Sequence, residues 1–242
     1  MTSGASASGT ADDTSVQAVA ARALELVGDG ARVGLGSGRA AAAFIARLGE
    51  RVREGLRVTG APTSEASARQ ARELGIPLID LAQEPDLDLT VDGADEVAPN
   101  LDLVKGWGGA LVRERIVAAA SERQVILVGS EKLVRRLGER GRVPVEVIPL
   151  ARTLVIRRLR AIGLHPRLRL DAAGAPFVTD NGNLTIDCTL PEPLDGNAAR
   201  SLEAVLLGIP GVVDTGLFLG TAERVLVGYP DGRVDLLGRR ST

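Results

Sequence analysis

The chain has 242 residues and carries 29 Lys+Arg against 31 Asp+Glu, a formal net charge of −2 that argues against a dedicated nucleic-acid binder. Hydrophobic residues make up 45%, enough for a core and too many for a disordered chain, and no apolar run approaches the roughly 20 residues that span a bilayer. One cysteine, Cys188, and one histidine, His165, exclude an intrachain disulfide framework, a multi-cysteine zinc site and a His-rich metal centre, so a soluble, cytoplasmic protein is expected.

Residues 1–12, rich in Ser, Ala, Gly and Thr, are expected to form a disordered tail, and they lack the basic and apolar stretches of a secretory signal. Structure is expected from about Asp13 or Thr14. Val16, Val19, Ala20, Ala23, Leu24 and Val27 recur at helical spacing until Gly28 and Gly30. Ala31 to Leu35 reads as a strand. The glycine loop Gly34-Leu-Gly-Ser-Gly38 follows, then an alanine-rich helix with Phe44, Ile45, Leu48 and Val52 on one face. Leu56–Thr59, Pro77–Leu81 and Leu87–Val91 read as strands, with a helix over Ser64–Leu74 closed by Gly75. Gln124–Val128 reads as a strand buried on both faces. This alternation implies βαβ units and a mostly parallel sheet.

The pattern changes after about residue 141. Val143–Ile148 reads as a strand, Ala151–Ile162 as a helix closed by Gly163, and Leu164–Leu170 as a strand. The turn Asp180-Asn-Gly-Asn183 leads into a strand over Leu184–Thr189, and Asp195 caps a helix ending at Gly208. That order is a split βαβ arrangement. Val212–Phe218 and Arg224–Val227 are expected to return to the first sheet. The expected division is thus 13–141 with 212–242 as the large domain, and 142–211 as a small α+β insertion.

Four places carry candidate chemistry. The Gly34–Gly38 loop sits between a strand and a helix, where helix amides favour an anion. Its glycines run G-x-G-x-G, and Thr59-Gly60 stands where a dinucleotide site wants an acid. A small phosphate ester therefore fits better than a dinucleotide, with a ligand-free tight turn as the other reading. Asp92-Gly-Ala-Asp95-Glu96 follows a strand, so Asp92 and Asp95 can point into one crevice and serve proton transfer, or simply cap a turn. Lys105-Gly-Trp-Gly-Gly109 and the following Glu114 combine an ammonium, close-approaching backbone and a carboxylate. Lys132 follows the strand ending at Val128. Only Lys105 and Lys132 of the 29 basic residues are lysine, and both are expected on one rim of the sheet. His165 and Cys188 read as structural. The arginines from Arg152 to Arg169 read as a solvated face.

Taken together, Val33-Gly-Leu-Gly-Ser-Gly38, Pro62-Thr-Ser64, Val91-Asp-Gly-Ala-Asp-Glu96, Lys105-Gly-Trp-Gly-Gly-Ala-Leu-Val-Arg-Glu114, Pro144-Val-Glu-Val-Ile-Pro149, Thr179-Asp-Asn-Gly-Asn183 and Gly216-Leu-Phe218 resemble the type A ribose-5-phosphate isomerase family, from about Val16 to Val234. The resemblance implies an α/β fold: a Rossmann-like, mostly parallel sheet domain with an inserted ferredoxin-like α+β domain. It implies an aldose–ketose isomerase interconverting D-ribose 5-phosphate and D-ribulose 5-phosphate through a cis-enediolate, in the non-oxidative pentose phosphate branch. It implies no metal or organic cofactor, a phosphosugar as the small-molecule partner, no nucleic acid or membrane partner, and a homodimer or homotetramer. Glu114 matches the family's base, Asp92 and Asp95 its aspartates and Lys105 its active-site lysine. The expected substrate contacts are Gly36, Ser37, Gly38, Arg39 and Ala40 with Lys132 on the phosphate, and Gly93, Ala94, Gly106, Trp107 and Gly108 along the sugar. The family loop G-T-G-S-T is here Gly36-Ser-Gly-Arg-Ala40, and no lysine stands near Val16-Gln17. Arg39 is expected to replace the lost phosphate contacts. An isomerase of another sugar phosphate and a non-catalytic sugar-phosphate sensor are the alternatives.

Overall fold

The computed structural model describes residues 5–238 of the chain. The chain divides into two compact units. The first holds the described residues up to Ala94, Ile116–Lys132 and those from Thr221 onward; the second holds Asp95–Arg115 and Leu133–Gly220. In chain order the elements are α1 (Ala5–Leu24), β1 (Ala31–Leu35), α2 (Arg39–Arg53), β2 (Val58–Pro62), α3 (Glu65–Glu73) and β3 (Leu89–Gly93). Next come β4 (Glu96–Val97), β5 (Leu103–Val104), α4 (Leu111–Ala119), β6 (Gln124–Gly129), β7 (Val143–Val147), α5 (Arg152–Ala161) and β8 (His165–Leu168). The chain continues through β9 (Leu184–Thr189), α6 (Gly196–Leu207), β10 (Val212–Thr215), β11 (Leu217–Phe218), β12 (Arg224–Gly228) and β13 (Val234–Gly238).

The first unit is built on a six-stranded sheet ordered β13-β12-β6-β3-β1-β2. Its neighbours pair in parallel except β12 with β13. Val19, Ala20 and Ala23 of α1 pack with Phe44, Ile45 and Leu48 of α2 against Val33, Leu35, Leu89, Val91, Val125 and Leu127 of the strands. Burying Phe44, Ile45 and Leu48 completely is worth about 1.5–3 kcal/mol each, which anchors an otherwise alanine-rich helix. Val117 of α4 packs with Ala61 and Leu87 in a separate cluster. Strands with apolar partners on both sides need no alternation, which explains the continuous burial of Gln124–Val128. From β1 the chain turns one way to β2, then returns to place β3 on the other side of β1. The crevice of an open α/β sheet opens at such a reversal.

The second unit contains β7-α5-β8-β9-α6-β10, with its sheet ordered β10-β7-β9-β8 and antiparallel throughout. That is the ferredoxin-like order expected for the insertion. Val155 and Leu159 of α5 and Leu206 of α6 meet Val145, Val147, Ile186 and Cys188 in its core. Burial, with a smaller contribution from the Asp187 carboxylate, pushes the Cys188 thiol up to about 12, so it stays protonated and unreactive at neutral pH. His165 is exposed on β8. A second, three-stranded sheet, β11-β5-β4, shares a small core of Ala98, Val104, Leu137, Val143, Ala199 and Leu217.

Four expectations need correction. First, α1 begins at Ala5, so the backbone of residues 5–12 is helical and not a disordered tail; residues 1–4 lie outside the described residues. A helix nucleated by the packed turns around Val19 gains one hydrogen bond per added residue, which extends it into a stretch whose Ser, Gly, Thr and Asp residues favour it little by themselves. Second, Pro77–Leu81 is no strand but a single bridge from Leu78 to Gly60. Third, Val212–Phe218 does not return to the first sheet, because β10 pairs with β7 and β11 with β5. The split βαβ order leaves one side of β7 open, and β10 fills it; only β12 and β13 go back. Fourth, the units are divided differently from the expected domains: 95–115 and 133–141 group with the insertion, as does 212–220. Among the described residues, no helix is long and apolar enough to cross a membrane.

Candidate functional site

In the first unit, β1, β3 and β6 are adjacent and parallel, so the segments leaving their carboxyl ends lie along one edge. These are the Gly36–Ala40 loop, Asp92-Gly93 and the turn Ser130–Lys132. The first two are tied together. Gly36 N–H donates to Val91 O at 3.0 Å, and Asp92 Oδ1 accepts from Ser37 N–H at 2.9 Å and from Gly93 N–H at 2.7 Å. A Cβ on Gly36 would stand 2.5 Å from Asp92 Cα, so only glycine permits this approach. Asp92 itself is 2% exposed.

The Ser37 side chain is also committed. Its Oγ lies 2.8 Å from both Thr63 Oγ1 and Ser64 Oγ, and Ser64 in turn caps α3 in a capping box with Ser67. Ser37 thus meets Asp92 through its amide and Thr63 and Ser64 through its hydroxyl. What this loop offers an anion is the first turn of α2, capped by Gly38 at φ 89°, with Arg39 exposed and Ala40 half-buried. Lys132 is half-buried at the end of its turn, and Ala94 is the last residue of this segment of the unit.

The second unit holds the other lysine. Lys105 follows β5, not a strand of the large sheet, so the two lysines do not extend from one sheet. Its N–H donates to Gly216 O at 2.9 Å and its side chain is 2% exposed. Nζ stands 3.4 Å from Glu114 Oε2 and 5.5 Å from the centre of the Phe218 ring. Glu114, in the first turn of α4, is 6% exposed. Arg115 lies 4.2 Å from the same Phe218 ring and its guanidinium reaches Asp214 at 2.6 Å. A buried ammonium and a buried carboxylate stabilise one another here in a medium where Coulomb attraction is weakly screened.

The loop between them is held from several sides. Gly106 and Gly109 have φ of 95° and 87°, a region open to glycine at little cost. Asp95 Oδ2 accepts from Trp107 N–H at 2.9 Å, so this aspartate touches the loop backbone. Trp107 Nε1–H donates to Arg142 O at 3.0 Å, and the Arg142 guanidinium lies 4.9 Å from the indole. Arg169 donates from Nη1 to both Gly106 O and Trp107 O, each at 3.0 Å. Gly108 is exposed.

The structure thus gathers Gly36, Ser37, Asp92 and Gly93 in one unit, and Asp95, Lys105, Gly106, Trp107 and Glu114 in the other. Four contributors carried no role in the sequence reading. Thr63 and Ser64 belong to a recognised motif but carried no role, because a hydroxyl pair gives no spacing signal. Phe218 likewise belongs to a recognised motif, Gly216-Leu-Phe218, without a role of its own. Arg169 was grouped with a solvated face, although its side chain is 11% exposed. Among the described residues, no group of three or more His, Cys, Asp or Glu side chains could hold a metal ion.

The family model for ribose 5-phosphate isomerase A (phosphoriboisomerase A) matches residues 59–232. A ribose-5-phosphate isomerase A from Roseiflexus castenholzii is 50% identical over 219 residues, which cover 90% of this chain and 92% of that protein. Among solved structures, ribose 5-phosphate isomerase A from Methanocaldococcus jannaschii has a TM-score of 0.87 at 42% identity, covering 93% of this chain and 98% of its own. A D-ribose-5-phosphate isomerase in complex with phospho-erythronic acid has a TM-score of 0.89 at 38% identity, covering 94% and 99%.

Proposed function

This chain belongs to the ribose 5-phosphate isomerase A family, and from that premise we propose how its own residues interconvert D-ribose 5-phosphate and D-ribulose 5-phosphate. The reaction moves a proton between adjacent carbons through a cis-enediolate. The carbon acid is weak, so a positioned base and stabilisation of the developing oxyanion are both needed. Glu114 is the base that carries the proton between C2 and C1. Lys105 and the amide-bearing turn Gly106-Trp107-Gly108 stabilise charge on the carbonyl oxygen. Asp92 assists ring opening and proton movement between the oxygens, while Asp95 holds the turn through the Trp107 amide. Gly93 and Ala94 line the sugar. The first turn of α2, from Gly38 through Arg39 and Ala40, and Lys132 take the phosphate, and Gly36 and Ser37 shape that loop. Fixing the remote phosphate converts binding energy into positioning of the reacting carbons.

The observation that carries the reading is the Lys105–Glu114 pair: a cation and a carboxylate 3.4 Å apart and almost wholly buried beside a glycine-rich turn. The test is isomerisation of ribose 5-phosphate in heavy water after treatment with a chelator. Deuterium is expected at the carbon next to the carbonyl, with activity unchanged by the chelator. Turnover without any label, or activity lost with the metal, overturns the scheme.

Arg39 is expected to supply the phosphate contacts that the family loop draws from hydroxyls. Arg39→Ala should raise KM for ribose 5-phosphate by about 10- to 100-fold, as befits a charge-assisted hydrogen bond, with a smaller effect on kcat. An unchanged KM would remove Arg39 from the phosphate site.

The reading extends to a homodimer or homotetramer working in the cytoplasm. Leu150, 97% exposed next to Ile148, supports association with another copy. A phosphorylated sugar does not cross a bilayer unaided, which supports an enzyme in the compartment where its substrate is made.

A further inference from the structure

Arg169 follows β8 with its side chain 11% exposed, and its guanidinium makes bonds in two directions. Nε donates to Asp187 Oδ2 at 2.9 Å and Nη2 to Asp187 Oδ1, a two-point grip on a carboxylate of β9. Nη1 donates to the carbonyls of Gly106 and Trp107, each at 3.0 Å. The backbone of Arg169 is fixed as well: its N–H donates to Thr185 O at 2.9 Å, and its carbonyl accepts from Phe177 N–H at 3.0 Å. Phe177 lies where a Cβ on Gly109 would meet its ring at 2.5 Å.

A trans peptide points its C=O and N–H in opposite directions. The Gly106 carbonyl shares a plane with the Trp107 N–H, and the Trp107 carbonyl shares one with the Gly108 N–H. Drawing both carbonyls onto one guanidinium therefore turns both amides to the other side. The Trp107 amide meets Asp95 Oδ2 there at 2.9 Å, and the Gly108 amide is turned the same way. Successive amides arranged so form a concavity suited to an anion. Inside the turn Gly109 N–H donates to Gly106 O at 3.0 Å, so the Gly106–Trp107 peptide is held from within as well as by Arg169, whereas the Trp107–Gly108 peptide, whose N–H belongs to an exposed glycine, takes its orientation from the Arg169 grip on its carbonyl.

We propose that Arg169, gripped by Asp187, is a positioning residue for the isomerisation: it holds the carbonyls of Gly106 and Trp107 so that the turn presents the Gly108 amide, not a carbonyl, to the enediolate oxyanion. This rests on the assignment of the turn to the oxyanion above. Arginine is required because lysine cannot grip a carboxylate at two points and two carbonyls at once. Arg142 completes the frame, with its Nε 3.3 Å from Asp187 Oδ1 and its carbonyl on the Trp107 indole.

The test compares Arg169→Lys and Asp187→Asn with the parent enzyme. It measures kcat and KM for ribose 5-phosphate, and inhibition by phospho-erythronic acid and by inorganic phosphate. The acid carries a carboxylate at the reacting end; inorganic phosphate reports only the other end. Removing one oxyanion donor typically costs about 10²–10³ in kcat. Arg169→Lys is expected to lower kcat and the affinity for the acid by about 10- to 100-fold each, with KM and phosphate inhibition within about 3-fold. Asp187→Asn keeps the side-chain shape and should show the same split at smaller size, which preserves the test should Arg169→Lys fold poorly. Loss shared equally by the acid and inorganic phosphate, or no loss in either folded variant, overturns the proposal. The Glu114 reading fails separately: Glu114→Gln should reduce kcat while leaving inorganic phosphate inhibition intact, whatever Arg169 does.

Discussion

Glu114→Gln is expected to lower turnover by about 10²- to 10⁴-fold while KM for ribose 5-phosphate changes little. The amide keeps the shape of the side chain and a hydrogen-bond acceptor but cannot take a proton from carbon. Glu114 is 6% exposed, so bulk water cannot easily stand in as the base. Its place in the first turn of α4, with its N–H bonded to Ala110 O at 2.9 Å, holds the carboxylate in register with the Lys105 ammonium. The split between the two kinetic constants is the diagnostic feature. An interaction made only in the transition state appears in kcat, whereas lost substrate binding appears in KM. Steady-state kinetics showing near-parental turnover would remove Glu114 as the base.

Lys105→Met should cost about 3–5 kcal/mol of stability as well as most of the activity. The ammonium is 2% exposed and lies 3.4 Å from Glu114 Oε2, so its removal strips a buried carboxylate of that counter-charge. Methionine fills a similar volume, which keeps cavity formation from dominating the result. The double variant Lys105→Met with Glu114→Gln is expected to recover part of the lost stability, since a neutral side chain then faces a neutral one. Denaturant titration of the parent, both single variants and the double variant measures the coupling. Strict additivity, or a Lys105→Met variant as stable as the parent, would mean that the pair does not interact as its geometry implies. Activity should not return in the double variant if Glu114 carries the proton and Lys105 supports the oxyanion, as proposed above.

Local signals were the dependable ones. Asp195 and Gly208 bound α6 as the sequence reading has them, and Leu184–Thr189 is β9 to the residue. Ser64 closes the start of α3 because a hydroxyl three residues before Ser67 satisfies helix amides without help from elsewhere. The start of α1 was misjudged because composition weighs each residue alone, whereas a helix grows cooperatively from a packed segment. Pro77–Leu81 has apolar residues but only a single bridge to Gly60, and no spacing rule reveals whether an edge will find a partner.

The motifs, the two lysines and the paired apolar patterns are written in neighbouring residues, so the family, the fold class and the chemical inventory could be read from one dimension. Partner choice could not. Whether Val212–Phe218 joins one sheet or another, which acceptor the Ser37 amide finds, and whether Arg169 is solvated or clamps a turn 62 and 63 residues away are all settled by long-range closure. Each of those contacts depends on geometry that exists only after the sheets have formed, and the energy of a hydrogen bond depends on what surrounds it in space, not on what stands beside it in the chain.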